Sequence, residues 1–213
     1  MQNKRAVLAV LLLAPSLPSL VVANLITNGD FEQNAISIPD TADSFTVPAG
    51  SNTIVGWMIG LTAVDLVRVQ FGAIDGVSVD LAGSPGAGSI AQSFAVIAGL
   101  RYTLTWDYSK NDSNDPLDPA MPMAVTFGSL ATQLFGPVVA GVSSGMLAFD
   151  ALANGSASVR FATSGPSAFG PTLDNVVVSA VLVPEASTGA LMVAGLAAMG
   201  LLVGRRRLLD ALT

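Results

Sequence analysis

Between residues 24 and 183 apolar and polar residues alternate with a period of two, interrupted by clusters of Gly, Pro, Asn and Asp, and no helical period appears before residue 187. In 101–108 (RYTLTWDY), Tyr102, Leu104, Trp106 and Tyr108 share one face. Residues 89–96 read SIAQSFAV, and 157–163 read ASVRFAT with Val159 and Phe161 inward. Near the end of the region Val176, Val178 and Ala180 face one way and Val177 and Val181 the other. Further strands are expected at 54–60, 62–70, 76–82, 121–128, 130–135 and 145–152, with loops at 84–88, 110–122 and 165–171. About nine to eleven strands in this span is the density of an all-β, two-sheet β-sandwich or jelly roll.

The ends of the chain break this pattern. Lys4 and Arg5 precede a short apolar run, Ala6 to Ala14, and Val21-Val22-Ala23 offers a cleavage site. Residues 1–23 therefore read as a signal peptide, leaving a domain at 24–182. Residues 187–204 carry no charge and are long enough, as a helix, to cross a bilayer. Arg205, Arg206 and Arg207 would hold the C-terminus on the cytoplasmic side. The order Val183-Pro184-Glu185, apolar segment, arginine cluster resembles the PEP-CTERM sorting signal, although Ala186 stands where a second proline is usual. The resemblance implies a sorting segment at 183–213, with signal peptidase and an exosortase-type enzyme as partners. It also implies export across the inner membrane, at least transient anchoring in the membrane, and a final place at the cell surface or outside the cell.

Composition narrows the chemistry. Residues 24–183 hold thirteen carboxylates against four basic residues (Arg68, Arg101, Lys110 and Arg160), a net charge of −9 that disfavours nucleic acid. The chain has neither cysteine nor histidine, which removes disulfides, Ser-His-Asp and Cys-His nucleophilic sites, and histidine-based metal sites. Carboxylate chemistry of the glycosidase kind remains open.

A second set of motifs spans most of the domain. Residues 24–32 (NLITNGDFE) are followed by Gly56-Trp57, by 79–83 (VDLAG), by 88–94 (GSIAQSF) and by 170–176 (GPTLDNV). Together these resemble the choice-of-anchor C family, whose domains are galactose-binding-like jelly rolls; Ala82 departs from the usual Asn. Related carbohydrate-binding jelly rolls hold a structural calcium between a glutamate of the opening motif and an aspartate of the final strand. The resemblance places these at Glu32 and Asp174, with Asp30 as a further ligand. The alternative is that Glu32 and Asp174 cap strand ends by hydrogen bonding.

Other candidates stay open. Trp57, Tyr102, Trp106 and Tyr108 either stack on a sugar or pack the core. Asp112, Asp115 and Asp118 lack the spacing of an EF-hand and read as a solvated loop. Asp65, Asp75 and Asp80 could supply a glycosidase pair, which the spacing alone does not establish. Asn154-Gly155-Ser156 reads as a turn rather than a glycosylation acceptor. The expected function is that of a non-catalytic surface or extracellular-matrix protein with polysaccharide as its ligand class. The alternative is a carbohydrate-active hydrolase with paired carboxylates.

Overall fold

The computed structural model describes residues 24–35, 43–68, 71–111, 121–136, 141–165, 167–183 and 195–196. Eleven strands form two antiparallel sheets. In chain order they are β1 (Ser44–Pro48), β2 (Met58–Leu61), β3 (Ala63–Val67), β4 (Ser78–Asp80), β5 (Gly88–Val96) and β6 (Leu100–Lys110), followed by β7 (Met123–Phe127), β8 (Gln133–Phe135), β9 (Ser143–Asp150), β10 (Gly155–Thr163) and β11 (Pro171–Leu182). One sheet has the order β1-β3-β4-β11-β6-β9 and the other β2-β5-β10-β7-β8. Apart from the adjacent pairs β3–β4 and β7–β8, consecutive strands cross between the sheets, so the expectation of an all-β, two-sheet jelly roll holds for the domain.

The alternation of the sequence fixes which side chains meet between the sheets. Tyr102, Leu104 and Trp106 of β6, Val159 and Phe161 of β10, and Val176, Val178 and Ala180 of β11 all enter one core, while Val177 is exposed. Trp106 lies at its centre, edge-on to Phe135 and Phe161 at centroid distances of 4.8 and 5.5 Å. Gly145 of β9 faces the indole so closely that a Cβ there would overlap it.

The opening motif is a strap rather than a strand. The Leu25 N–H donates to the Val178 carbonyl, the Val176 N–H donates to the Gly29 carbonyl, and Asn24 Oδ1 accepts from the Ile26 and Val178 N–H groups. Gly29 is required here because a Cβ would run into the Val176 carbonyl. Asn28, in the left-handed region at φ 54°, donates to the Gln33 and Val55 carbonyls and accepts from the Gln33 N–H. Its own carbonyl accepts from Trp57 Nε1 at 2.9 Å, and the Trp57 ring packs on Phe31. The two halves of the motif, 24–32 and Gly56-Trp57, are therefore one clasp closing the sandwich.

The C-terminal expectation is corrected. No helix among the described residues is long and apolar enough to cross a membrane. The transmembrane helix expected over 187–204 is therefore withdrawn, along with the membrane and exosortase partners and the anchored localisation that depended on it. The expectation rested on hydropathy alone, and of 187–204 only residues 195–196 are among the described residues. Val183 directly follows β11 and donates its N–H to the Gly99 carbonyl. The rest of the sorting motif (Pro184, Glu185, Arg205, Arg206 and Arg207) and the signal peptide at 1–23 lie outside the described residues.

Phe161 is fully buried against Trp106. Phe161→Ala should lower the unfolding free energy by about 3–5 kcal/mol, read from the midpoint of a urea transition.

Candidate functional site

Core residues Leu66, Val79, Leu173 and Tyr108 fix the facing of β3, β4, β11 and β6, so their neighbours in sequence point to the opposite face of the six-stranded sheet. There the register brings polar residues into a row: Thr46 pairs with Asp65, Asp65 with Asp80, Asp80 with Thr172, and Thr172 with Ser109. The next row carries Ser78, Asp174 and Asp107. An outer sheet face would ordinarily be wet, yet Asp80 and Thr172 are 0% exposed and Asp65 only 8%. Loops fold over them.

Asp80 organises those loops. Its Oδ1 accepts from the Ala82 and Gly170 N–H groups at 2.8 and 2.9 Å, and its Oδ2 accepts from Asn111 Nδ2. Three loops, following β4, preceding β11 and following β6, are thus fastened to one carboxylate. Burial pushes Asp80 up to about 7 despite these three donors, and the neighbouring Asp65 pushes in the same direction. Burial likewise raises Asp65, against hydrogen bonds from the Thr46 hydroxyl and the Ser84 N–H.

Between these loops lies a cleft of about 170 Å³ lined by Ser44, Asp65, Val67, Phe71, Ser84, Asn111, Ala168 and Phe169. Phe71 and Phe169 stack at 6.5 Å and form a half-buried apolar wall. Opposite them, Asn111 is 2% exposed and its Oδ1 has no hydrogen-bond partner, because its amide nitrogen is turned to Asp80. Thr172 Oγ1, beside Asp80, is likewise buried without a partner. A buried polar atom left without a partner costs about 1–3 kcal/mol, and Asn111 Oδ1, on a residue that lines the cleft, is an acceptor that a donor would satisfy. A larger depression of about 510 Å³, lined by Ser93, Ser156, Ser158 and Leu152 among others, has no such group, and its one carboxylate, Asp150, is held by Arg101 at 2.7 Å.

The expected site residues fall differently. Asp65 and Asp80 are brought together as direct cross-strand partners; Asp75 is not with them. The Asp75 N–H instead points to Asp174 Oδ2, which also accepts from the Ser78 hydroxyl at 2.6 Å, while Asp174 Oδ1 accepts from the Asn175 N–H. Glu32 Oε1 accepts from the Val77 N–H at 2.6 Å and presses on Gly76, whose φ of 43° and absent side chain admit it. Glu32 and Asp174 therefore meet across residues 75–78, as the opening and closing motifs suggested. Burial pushes Asp174 up to about 6, with Glu32 adding to the shift.

The hydrogen-bond partners of these two carboxylates are N–H and O–H groups, and among the described residues no group of three acidic side chains converges on one point. These hydrogen bonds are the ones the capping alternative describes. Asp30 is exposed beside Asn175, in a separate depression of about 230 Å³. Trp57, Tyr102 and Trp106 are core, with the Tyr102 hydroxyl accepting from the Ile97 N–H, and Tyr108 packs on Trp106 and Phe135. Asn154 closes a turn by accepting from the Ala98 N–H. Asp112, Asp115 and Asp118 lie outside the described residues. Phe71, Phe169 and Asn111 carried no signal in the alternation, since all three lie outside the strands.

A family model described as "Protein of unknown function (DUF642)" matches residues 24–179. The chain belongs to that family; the likeness to choice-of-anchor C proteins is one of motifs. The chain is 39% identical over 88 residues to halomucin of Haloquadratum walsbyi, an alignment covering 40% of this chain and 1% of that protein's length. Among solved structures it is similar to one titled "CBM4 structure and function" (19% identity, 73% of this chain and 99% of the other, TM-score 0.44). It is also similar to the CBM22-1 xylan-binding domain from Paenibacillus barcinonensis Xyn10C (10% identity, 65% and 94%, TM-score 0.42). A third likeness is to the arabinose-bound MgGH51 α-L-arabinofuranosidase (10% identity, 74% and 26%, TM-score 0.47).

Two raised carboxyls give stability a pH dependence. Folded Asp80 and Asp174 hold protons to about pH 7 and 6, whereas the unfolded chain releases them near the ordinary aspartate value of 3.8. Stability from these groups is full below about pH 4 and is lost as pH rises through 6 and 7. The melting temperature should fall by about 5 °C or more between pH 5 and pH 8, and Asp80→Asn should flatten the profile. A chelator should leave the melting temperature unchanged.

Proposed function

We propose that this member of the DUF642 family is a non-catalytic domain that binds carbohydrate in the Phe71–Phe169 cleft. The observation that carries the reading is the pairing, in one cleft, of an apolar ring wall with buried oxygen acceptors, one of which has no donor. A sugar has the complementary surface: C–H faces for the rings, and hydroxyl groups that donate to Asp65 and Asn111. The solved structures it resembles in outline include both binding modules and hydrolases, and they do not choose between the two.

The carboxylates support the binding reading. A glycosidase needs one carboxyl group to protonate the glycosidic oxygen and a second at the anomeric carbon, so both must touch the substrate. Asp65 borders the cleft, but Asp80 is wholly enclosed, with both oxygens engaged by Ala82, Gly170 and Asn111. Its raised pKa resembles that of a general acid; its position is that of a structural tie. Asp174, the other buried acid, faces residues 75–78 and does not line the cleft.

Phe71→Ala and Phe169→Ala should each weaken binding to a retained polysaccharide by about tenfold or more in affinity electrophoresis, with an unchanged far-UV spectrum. Incubation with that polysaccharide should release no reducing sugar. Release that vanishes in Asp65→Asn would establish the hydrolase reading instead.

A further inference from the structure

We infer that Asp65, together with the amide oxygen of Asn111, makes an acceptor floor that admits neutral sugars and turns away uronates. The inference rests on the cleft being the carbohydrate seat and names the class of carbohydrate. Asp65 is a carboxylate on β3, steadied from behind by the Thr46 hydroxyl and the Ser84 N–H, and it borders the cleft with its side chain almost entirely enclosed. Asn111 has its nitrogen committed to Asp80, so its unpaired oxygen is the group left for a ligand. The remaining polar residues of the lining, Ser44 and Ser84, carry hydroxyls that either donate or accept.

A neutral pyranose supplies a donor at every hydroxyl and satisfies both acceptors. A uronate brings its own carboxylate, which donates nothing and sets a second negative charge beside Asp65 where little water screens it. Asp80, the cross-strand partner beside Asp65, adds to the acidic field when ionised. Arg68 and Lys110, the cations adjoining the lining residues Val67 and Asn111, already hold interactions of their own. The −9 charge of residues 24–183 acts in the same sense at longer range.

The test compares affinity electrophoresis at pH 7 on a neutral galactan and on polygalacturonate, for the full chain and for Asp65→Asn, which keeps the size of the side chain and removes its charge. The unaltered protein should be retarded by galactan and not by polygalacturonate. Asp65→Asn, which loses an acceptor oxygen as well as the charge, should lose galactan affinity and gain at least about tenfold in polygalacturonate affinity, so that the ratio of the two moves toward the uronate polymer. Equal retardation of the unaltered protein by both polymers overturns the inference, as does an Asp65→Asn variant with unchanged discrimination. A salt series on the unaltered protein needs no variant: polygalacturonate binding should improve as salt screens the repulsion, and a steady loss with salt overturns the idea. Phe169→Ala separates the two levels. Galactan binding that survives Phe169→Ala removes the seat from the cleft, whereas binding lost there, with discrimination untouched by Asp65→Asn, removes only the role of Asp65.

Discussion

One enclosed carboxylate holds the functional end of this molecule together. Asp80 sits in the middle of the six-stranded sheet on its outer face, where a solvated residue would be expected, and three loops close over it by donating to it. Enclosing a charge is costly, which is why its pKa rises toward neutrality rather than falling as three donors alone would make it. The cost is accepted because no apolar residue could fasten loops that follow β4, precede β11 and follow β6. Without that tie, Ser84, Asn111 and Phe169 would have no fixed relation to one another, and the cleft they share would not exist.

The opposite demand, closing the sandwich, falls on residues that look like candidate ligands in the sequence. Asn24 and Asn28 use their amides on the backbone of β11 and of residues 33 and 55, and Trp57 uses its indole N–H on the Asn28 carbonyl. Glu32 and Asp174 do the same with N–H and O–H groups around residues 75–78. A short polar motif at the start of a domain can therefore be wholly structural. Its residues are polar because they replace missing ladder hydrogen bonds, and the strap they form lies beside β11 without being a strand of either sheet.

The strands were legible because burial on one face writes a period of two into the chain; β5, β6, β10 and β11 fall where the alternation put them. β1 was not, because Ser44–Pro48 is an edge strand of five residues in which only Val47 is buried, so it shows almost no alternation. The cleft was illegible for a different reason. Asp65 and Asp80 were both visible as carboxylates, but only register makes them neighbours, and register depends on turns and pleat rather than on residue type. Phe71, Asn111 and Phe169 come from three loops with no shared period. The C-terminal expectation rested on apolar composition alone, and no helix among the described residues is long and apolar enough to cross a membrane.

Rigidity and acidity in the cleft have a common origin. Because the loops carrying Ser84, Asn111 and Phe169 are tied through Asp80, their arrangement is set by the fold itself and the entropy of ordering them is met on folding. Because the tie is a carboxylate, its titration reaches both the fold and the cleft. As Asp80 ionises, the Asn111 amide nitrogen is drawn to it more strongly, which fixes the amide oxygen as the group offered to the ligand. The same ionisation weakens the fold, through the desolvation that raised the pKa. The pH range in which the cleft is best defined as an acceptor surface is therefore the range in which the domain is least stable. Such a trade is expected where a buried polar group is kept for the geometry it imposes rather than for the stability it confers.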